Sequence, residues 1–204
     1  SRRQPRAQCY LSCNHRRLGS YDSLNMTALP TFEDLARLIA DASLLRGEFT
    51  LRSGRTSHYY LDKYRFSTKP EILQPLAQMF RDRIPEGTQR LAGAELGGIP
   101  LVAAASLATG LPSIFVRGER KTYGTGQRIE GELKAGESVV FLEDVATTGG
   151  QALEAVEVLQ KAGAKVSGVI SVINREEGAR ENIEAAGLKF EALFSVADLG
   201  VVDP

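Results

Sequence analysis

Cysteine is nearly absent from this chain. Its 204 residues hold two, Cys9 and Cys13, both close to the N-terminus. No disulfide framework or cysteine metal site can therefore support the fold, and a reducing, cytoplasmic setting is the expectation. Histidine is equally scarce: His15 and His58 are the only two. Neither falls in a catalytic pattern, so histidine acid–base chemistry is not expected. Cys9, Cys13 and His15 lack the fourth ligand of a zinc knuckle. No apolar run approaches the roughly 20 residues of a membrane helix. Net charge is also missing, since 25 Lys and Arg balance 25 Asp and Glu, which argues against a broad basic surface for nucleic acid. Two common nucleotide motifs do not occur: there is no Gly-x-x-x-x-Gly-Lys-Ser/Thr and no Gly-x-Gly-x-x-Gly after a strand.

What remains is an ordinary globular composition, 43% hydrophobic and 25% charged, enough for one domain with a sizeable core. Residues 1–25 differ from the rest. They carry five arginines and one acid, Asp22, with little periodicity. Sequence upstream of the true start, a transit-type peptide and a disordered arm all fit that composition. Because periodic sequence begins just after Met26, the first reading is favoured, with residues 26–204 forming a single domain.

Thr31 can cap a helix, with Asp34 three residues on. Phe32, Leu35, Leu38, Ile39, Ala42 and Leu45 form its apolar stripe, and Gly47 is its expected end. Residues 49–51 and 58–62 read as strands joined by Ser53-Gly54-Arg55. A helix follows Pro70, with Leu73, Leu76, Ala77, Phe80 and Ile84 inward. Alternation then sets in: strands are expected at 91–94, 113–116, 138–142, 166–173 and 190–195. Helices are expected at 100–109, after Gly150, and near 179–186. Strands alternating with helices predict an α/β fold, a mostly parallel sheet covered on both faces, with ligands at the carboxyl ends of strands.

The most informative run is Val139-Val140-Phe141-Leu142-Glu143-Asp144-Val145-Ala146-Thr147-Thr148-Gly149-Gly150. It reads as a buried strand, two carboxylates at its end, a small-residue loop and a helix start. Backbone N–H groups and a helix N-terminus converge there, which suits a phosphate. The adjacent acids suit hydroxyls or a magnesium-bound sugar. Between 117 and 128 lie four cations and three glycines without apolar periodicity. Such a stretch is either a solvated loop or a lid over an anionic leaving group.

The long run resembles the 5-phosphoribosyl-1-pyrophosphate (PRPP) motif of the type I phosphoribosyltransferases. That likeness implies a central sheet flanked by helices with a small N-terminal hood, mainly residues 31–65. It implies that Glu143 and Asp144 contact ribose hydroxyls. Val145, Ala146, Thr147, Thr148, Gly149, Gly150 and Gln151 would wrap the 5′-phosphate. The stretch from Arg117 resembles the catalytic loop of the orotate-using members. By that resemblance Arg117 and Lys121 contact pyrophosphate, with Tyr123 where histidine is common; Gly118 stands where a second lysine is usual. Arg52-Ser53-Gly54-Arg55 and Tyr59-Tyr60 resemble the segments flanking the base. Glu95-Leu96-Gly97-Gly98-Ile99-Pro100 resembles the pyrophosphate loop, with Gly97 in place of a lysine. Asn174-Arg175-Glu176-Glu177-Gly178 resembles the segment whose arginine meets orotate. A planar guanidinium suits a planar carboxylate-bearing pyrimidine.

The resemblance thus implies transfer of phosphoribose from PRPP to orotate, giving orotidine 5′-monophosphate and pyrophosphate in pyrimidine biosynthesis. Lys121, Arg117 and Asp144 would be catalytic. Thr147, Arg175, Arg52, Tyr59 and Tyr60 would meet orotate. It further implies Mg²⁺ held mainly by PRPP rather than by side chains, and a homodimer whose lid acts on the neighbouring site, with no nucleic-acid or membrane partner. Transfer to another base and a non-enzymatic PRPP-binding regulator are the alternatives. The Arg175 segment argues against the first, and net neutrality and the basic loop against the second.

Overall fold

The computed structural model describes residues 29–50, 56–118 and 128–201. The expected arginine-rich tail, the joint at 53–55 and most of the basic loop lie outside the described residues. Helix α1 (Phe32–Ser43) begins as predicted. Thr31 Oγ1 accepts the Asp34 N–H at 3.1 Å and donates to the Asp34 carboxylate at 3.0 Å, which satisfies a first-turn donor. Leu35, Ala36, Ile39 and Ala42 are buried. The helix does not run to Gly47. The chain passes directly into β1 (Leu44–Thr50), which pairs antiparallel with β2 (Thr56–Leu61). Leu44 lies opposite Leu61 and Leu45 opposite Tyr60. Cross-strand apolar pairing thus overrides the helical periodicity that included Leu45. Gly47 sits where the register shifts between Arg46 and Phe49, a bulge rather than a helix stop.

A five-residue helix, α2 (Lys63–Ser67), follows β2 at once, capped by the Asp62 carboxylate on the Tyr64 N–H at 3.3 Å. It is too short to show a periodic signature. Helix α3 (Pro70–Arg83) opens on proline, whose missing N–H costs nothing in a first turn.

The body then alternates through β3 (Arg90–Ala94), α4 (Gly98–Thr109), β4 (Ser113–Val116) and β5 (Ile129–Glu130). It continues with β6 (Ser138–Ala146), α5 (Gly150–Lys161), β7 (Lys165–Asn174), α6 (Ala179–Ala185) and β8 (Lys189–Ser195), then a 3₁₀ turn at Ala197–Leu199. Sheet order is β5-β4-β3-β6-β7-β8, parallel except for β5 against β4. Side chains alternate across the sheet. Val140, Leu142, Ile170 and Val172 face Leu35, Ile39, Leu76, Phe80 and Leu101 of α1, α3 and α4. Val139, Phe141 and Val169 face Ala152, Val156, Leu159 and Ile183 of α5 and α6. At the amino end, Arg90 donates to both Glu137 oxygens at 2.8 and 2.9 Å, tying β3 to β6.

Chain order runs outward in opposite directions from β3 and β6. This is the switch point at which parallel sheets open a crevice beyond their carboxyl ends. Strand β6 is longer than expected. Glu143 pairs with Ser171, Val145 with Ile173 and Ala146 with Asn174, so both acids lie within the strand rather than beyond it.

Candidate active site

Because Glu143 and Asp144 are still in extended backbone, they leave opposite faces of the sheet. Asp144 points towards α4 and the hood and is fully buried. Its Oδ1 accepts the Val145 N–H at 2.6 Å and the Lys63 ammonium at 3.2 Å. Lys63 Nζ also stands 3.1 Å from Oδ2. A Cβ at Gly97 would collide with this carboxylate, so only glycine lets the β3–α4 loop approach it. Burial opposes the Lys63 ammonium, but Asp144, with Glu143 behind it, outweighs burial and holds its pKa above the ordinary lysine value. Glu143 is 7% exposed, and its Oε2 has no hydrogen-bond partner among the described residues. Burial, then the neighbouring Asp144, pushes its pKa up to about 8.

Beyond β6, Gly149 adopts the left-handed conformation (φ 79°), and a Cβ there would press on Ile183 at 3.0 Å. Glycine is required on both counts. No side chain caps α5, so its first N–H groups are open to an anion. A cavity of about 130 Å³ lies over them, lined by Glu143, residues 145–151 and Ala152. Asn182 Nδ2 donates to the Thr148 carbonyl at 2.9 Å and steadies the loop.

A second cavity, about 180 Å³, adjoins the acids and is lined by Lys63, Glu95, Gly97, Gly98, Arg117, Arg128, Glu143, Asp144 and Gln151, among others. Arg117 Nη1 is only loosely held, 3.9 Å from Glu95 and 3.7 Å from Glu130, and its Nε has no hydrogen-bond partner among the described residues. Gly118 N–H donates to Glu95 Oε1 at 2.8 Å. Arg128 donates to the Arg117 carbonyl at 3.0 Å and to Glu154 at 2.8 Å, so the two ends of the basic stretch are clipped together.

On the other side of β6, Arg175 N–H donates to the Ala146 carbonyl at 2.9 Å. Its Nη2 donates to the Tyr59 hydroxyl at 3.1 Å and lies 2.9 Å from Glu177. The guanidinium sits 5.2 Å from the Tyr59 ring centroid, and its Nε is buried with no hydrogen-bond partner among the described residues. Tyr59 is buried with Val196 and Val201. Tyr60, one residue on, is 46% exposed on the opposite face of β2, against Phe49 at 5.7 Å.

The structure therefore gathers Arg117, Glu143, Asp144, residues 145–151, Arg175 and Tyr59 around the carboxyl end of the sheet and turns Tyr60 away from Arg175. Arg52, Lys121 and Tyr123 lie outside the described residues. Two cleft residues went unassigned in the sequence. Lys63 sits on a helix without periodicity. Arg128 stood in view within the basic stretch, and only its pairing with Arg117 across the loop reveals its place.

A doubly covered, mostly parallel sheet, a glycine turn opening onto uncapped helix N–H groups after a strand with paired acids, and a strand-pair hood beside them define a type I phosphoribosyltransferase. No family model matches the chain, but proteins named orotate phosphoribosyltransferase do. It is 49% identical to the orotate phosphoribosyltransferase of Natronomonas pharaonis over 168 residues, covering 82% of this chain and 96% of that one. It is 50% identical to that of Haloquadratum walsbyi over 175 residues, 85% and 95% of the respective chains. Among solved structures, Mycobacterium tuberculosis orotate phosphoribosyltransferase in complex with PRPP superposes with a TM-score of 0.73 at 34% identity, covering 84% of this chain and all of that one. The Aeropyrum pernix enzyme gives 0.73 at 30%, covering 81% and 95%. The chain belongs to the orotate phosphoribosyltransferase family.

The raised Glu143 pKa has a testable sign. The folded protein keeps this proton when the unfolded chain, near 4.5, has lost it. The contribution of Glu143 to stability is therefore full below pH 4.5 and is lost as pH rises to about 8, with a slope from this group of at most about 1.4 kcal/mol per pH unit. Denaturant unfolding of the ligand-free protein across that range should show the fall, and Glu143→Gln should flatten it. An unchanged slope in the variant would assign the effect elsewhere.

Proposed function

We propose that this protein transfers the 5-phosphoribosyl group of PRPP to orotate, releasing pyrophosphate and forming orotidine 5′-monophosphate, a step of pyrimidine synthesis. The observation that carries the reading is Arg175. A half-buried guanidinium with a spare N–H stands beside a buried tyrosine, one hydrogen bond from the loop that would hold the phosphate. That arrangement suits a flat, anionic base placed next to the ribose.

In the reaction the bond from the ribose anomeric carbon to pyrophosphate oxygen breaks as the bond to the orotate ring nitrogen forms. The transition state has oxocarbenium-like positive charge on the sugar. The 145–151 loop and the α5 N-terminus hold the 5′-phosphate. Asp144 and Glu143 flank the sugar and orient its hydroxyls, and Asp144 steadies the developing positive charge. Arg117, with Lys121 from the loop, neutralises the departing pyrophosphate. The carboxylates of Glu95, Glu143 and Asp144 line the cleft, oxygen donors that fit magnesium carried in by PRPP. Bound there, magnesium would offset charge on the leaving group.

A homodimer completes the proposal, each basic loop serving the neighbour's site. Helix α4 (Gly98–Thr109) is apolar on nearly every face, and Leu107 is 89% exposed beside Leu73, Ala77 and Ala104. A helix apolar all round belongs under a partner, and this face is the one a dimer would cover. No helix among the described residues is long and apolar enough to cross a membrane, and a cytoplasmic location accords with the reading.

Arg175→Ala should raise the orotate KM about ten- to a hundredfold, the scale of a lost charge-assisted contact, with much less change in the PRPP KM. Equal effects on both substrates would count against the base assignment. Lys121→Ala and Asp144→Ala chains, each inactive alone, should recover about a quarter of wild-type activity when their subunits exchange. Half of the dimers would then be mixed, each with one intact site. No recovery after demonstrated exchange would show that each loop serves its own chain.

A further inference from the structure

Lys63 opens α2 and belongs to the hood, yet its ammonium lies in the cleft. The two sides of its ion pair differ in exposure: the lysine side chain is 32% exposed and Asp144 1%. The cation is therefore the more open partner in a cavity that both line with Gly97, Gly98 and Arg117. Of the other cations on that cavity, Arg128 is committed to Glu154 and to the Arg117 carbonyl. Arg117 enters the cavity from the end of β4, near Glu95 and Glu130. The Gly97 wall cannot carry a side chain of its own, because a Cβ there runs into Asp144. Of the cations lining this cavity, Lys63 is the one in contact with Asp144.

Asp144 is also the carboxylate assigned above to the ribose. A ribose hydroxyl can donate to it only if the ammonium yields part of its hold. A lysine on a fixed helix, with a flexible four-carbon stem, then needs another anion within reach. The pyrophosphate of PRPP is the anion that arrives together with the ribose, and it bears more charge than the carboxylate. We propose that Lys63 is a substrate-binding residue, its ammonium resting on Asp144 in the free protein and passing to the pyrophosphate group as Asp144 takes the ribose hydroxyls. This inference rests on the phosphoribosyl-transfer reading. It also explains why the hood packs against the acid: α2 follows β2 directly, so the strand bearing Tyr59 and the helix bearing Lys63 engage the two ends of one substrate pair.

The test is calorimetric titration of the full-length protein with PRPP and, separately, with inorganic pyrophosphate, both with magnesium, alongside KM values for PRPP and orotate. Lys63→Met should weaken PRPP and pyrophosphate about ten- to a hundredfold and leave the orotate KM within about twofold, whereas Lys63→Arg should restore most of the loss. Wild-type affinity for both ligands in Lys63→Met would overturn the proposal, as would equal losses for PRPP and orotate, which a merely structural role produces. If the methionine strands the buried Asp144 and lowers the melting temperature, Lys63→Gln carries the same test, since its amide still donates to Asp144 without the charge. A wild-type protein that binds PRPP but does not consume orotate would overturn the base assignment and leave the Lys63 comparison intact. One that binds no PRPP would overturn both.

Discussion

A carboxylate without accessible surface, Asp144, sits at the carboxyl end of the central strand, and the site is arranged around it. Burying an ionised acid costs several kcal/mol unless a cation and hydrogen bonds meet it. Lys63 and the Val145 N–H supply these. Three features follow. Strand β6 must stay extended past Leu142 to aim Asp144 at the hood, which pairing with β7 as far as Asn174 enforces. Residue 97 must lack a side chain. Helix α2 must pack close enough to deliver an ammonium. Glu143, forced to the other face by strand alternation, is pushed towards its neutral form by burial and by the neighbouring Asp144.

On the proposed function, the fold divides recognition of a composite substrate between two strand ends. The β6–α5 turn offers backbone N–H groups and glycine conformations, which fit a phosphate whatever base accompanies it. The β7 end offers Arg175, steadied by Tyr59 and Glu177, which fits one class of base. The Arg175 N–H bonded to the Ala146 carbonyl joins the two. The hood reaches both ends, Tyr59 meeting Arg175 and Lys63 meeting Asp144.

Much of this was legible in the sequence where a local rule operates alone. The Thr31 cap, the Pro70 helix start and the strand-to-turn passage from Val139 to Gly150 each follow from residues in contact along the chain. Gly97 stood out as a side chain missing from a loop, though its reason, contact with Asp144, exists only after β3 and β6 pair. Reading failed where tertiary pairing outweighs local preference: Leu45 continues a helical stripe yet pairs with Tyr60. It also failed where an element is too short to be periodic, as with α2 and the two-residue β5. Both lapses fall at the cleft, where Lys63 and Arg128 acquire meaning through partners 81 and 26 residues away.

Pyrophosphate release from PRPP with magnesium, measured separately with orotate, uracil, adenine and hypoxanthine as acceptors, tests the central claim most directly. The account predicts release with orotate alone, matched mole for mole by orotidine 5′-monophosphate. Equal release with uracil or a purine, or none with orotate, would contradict it.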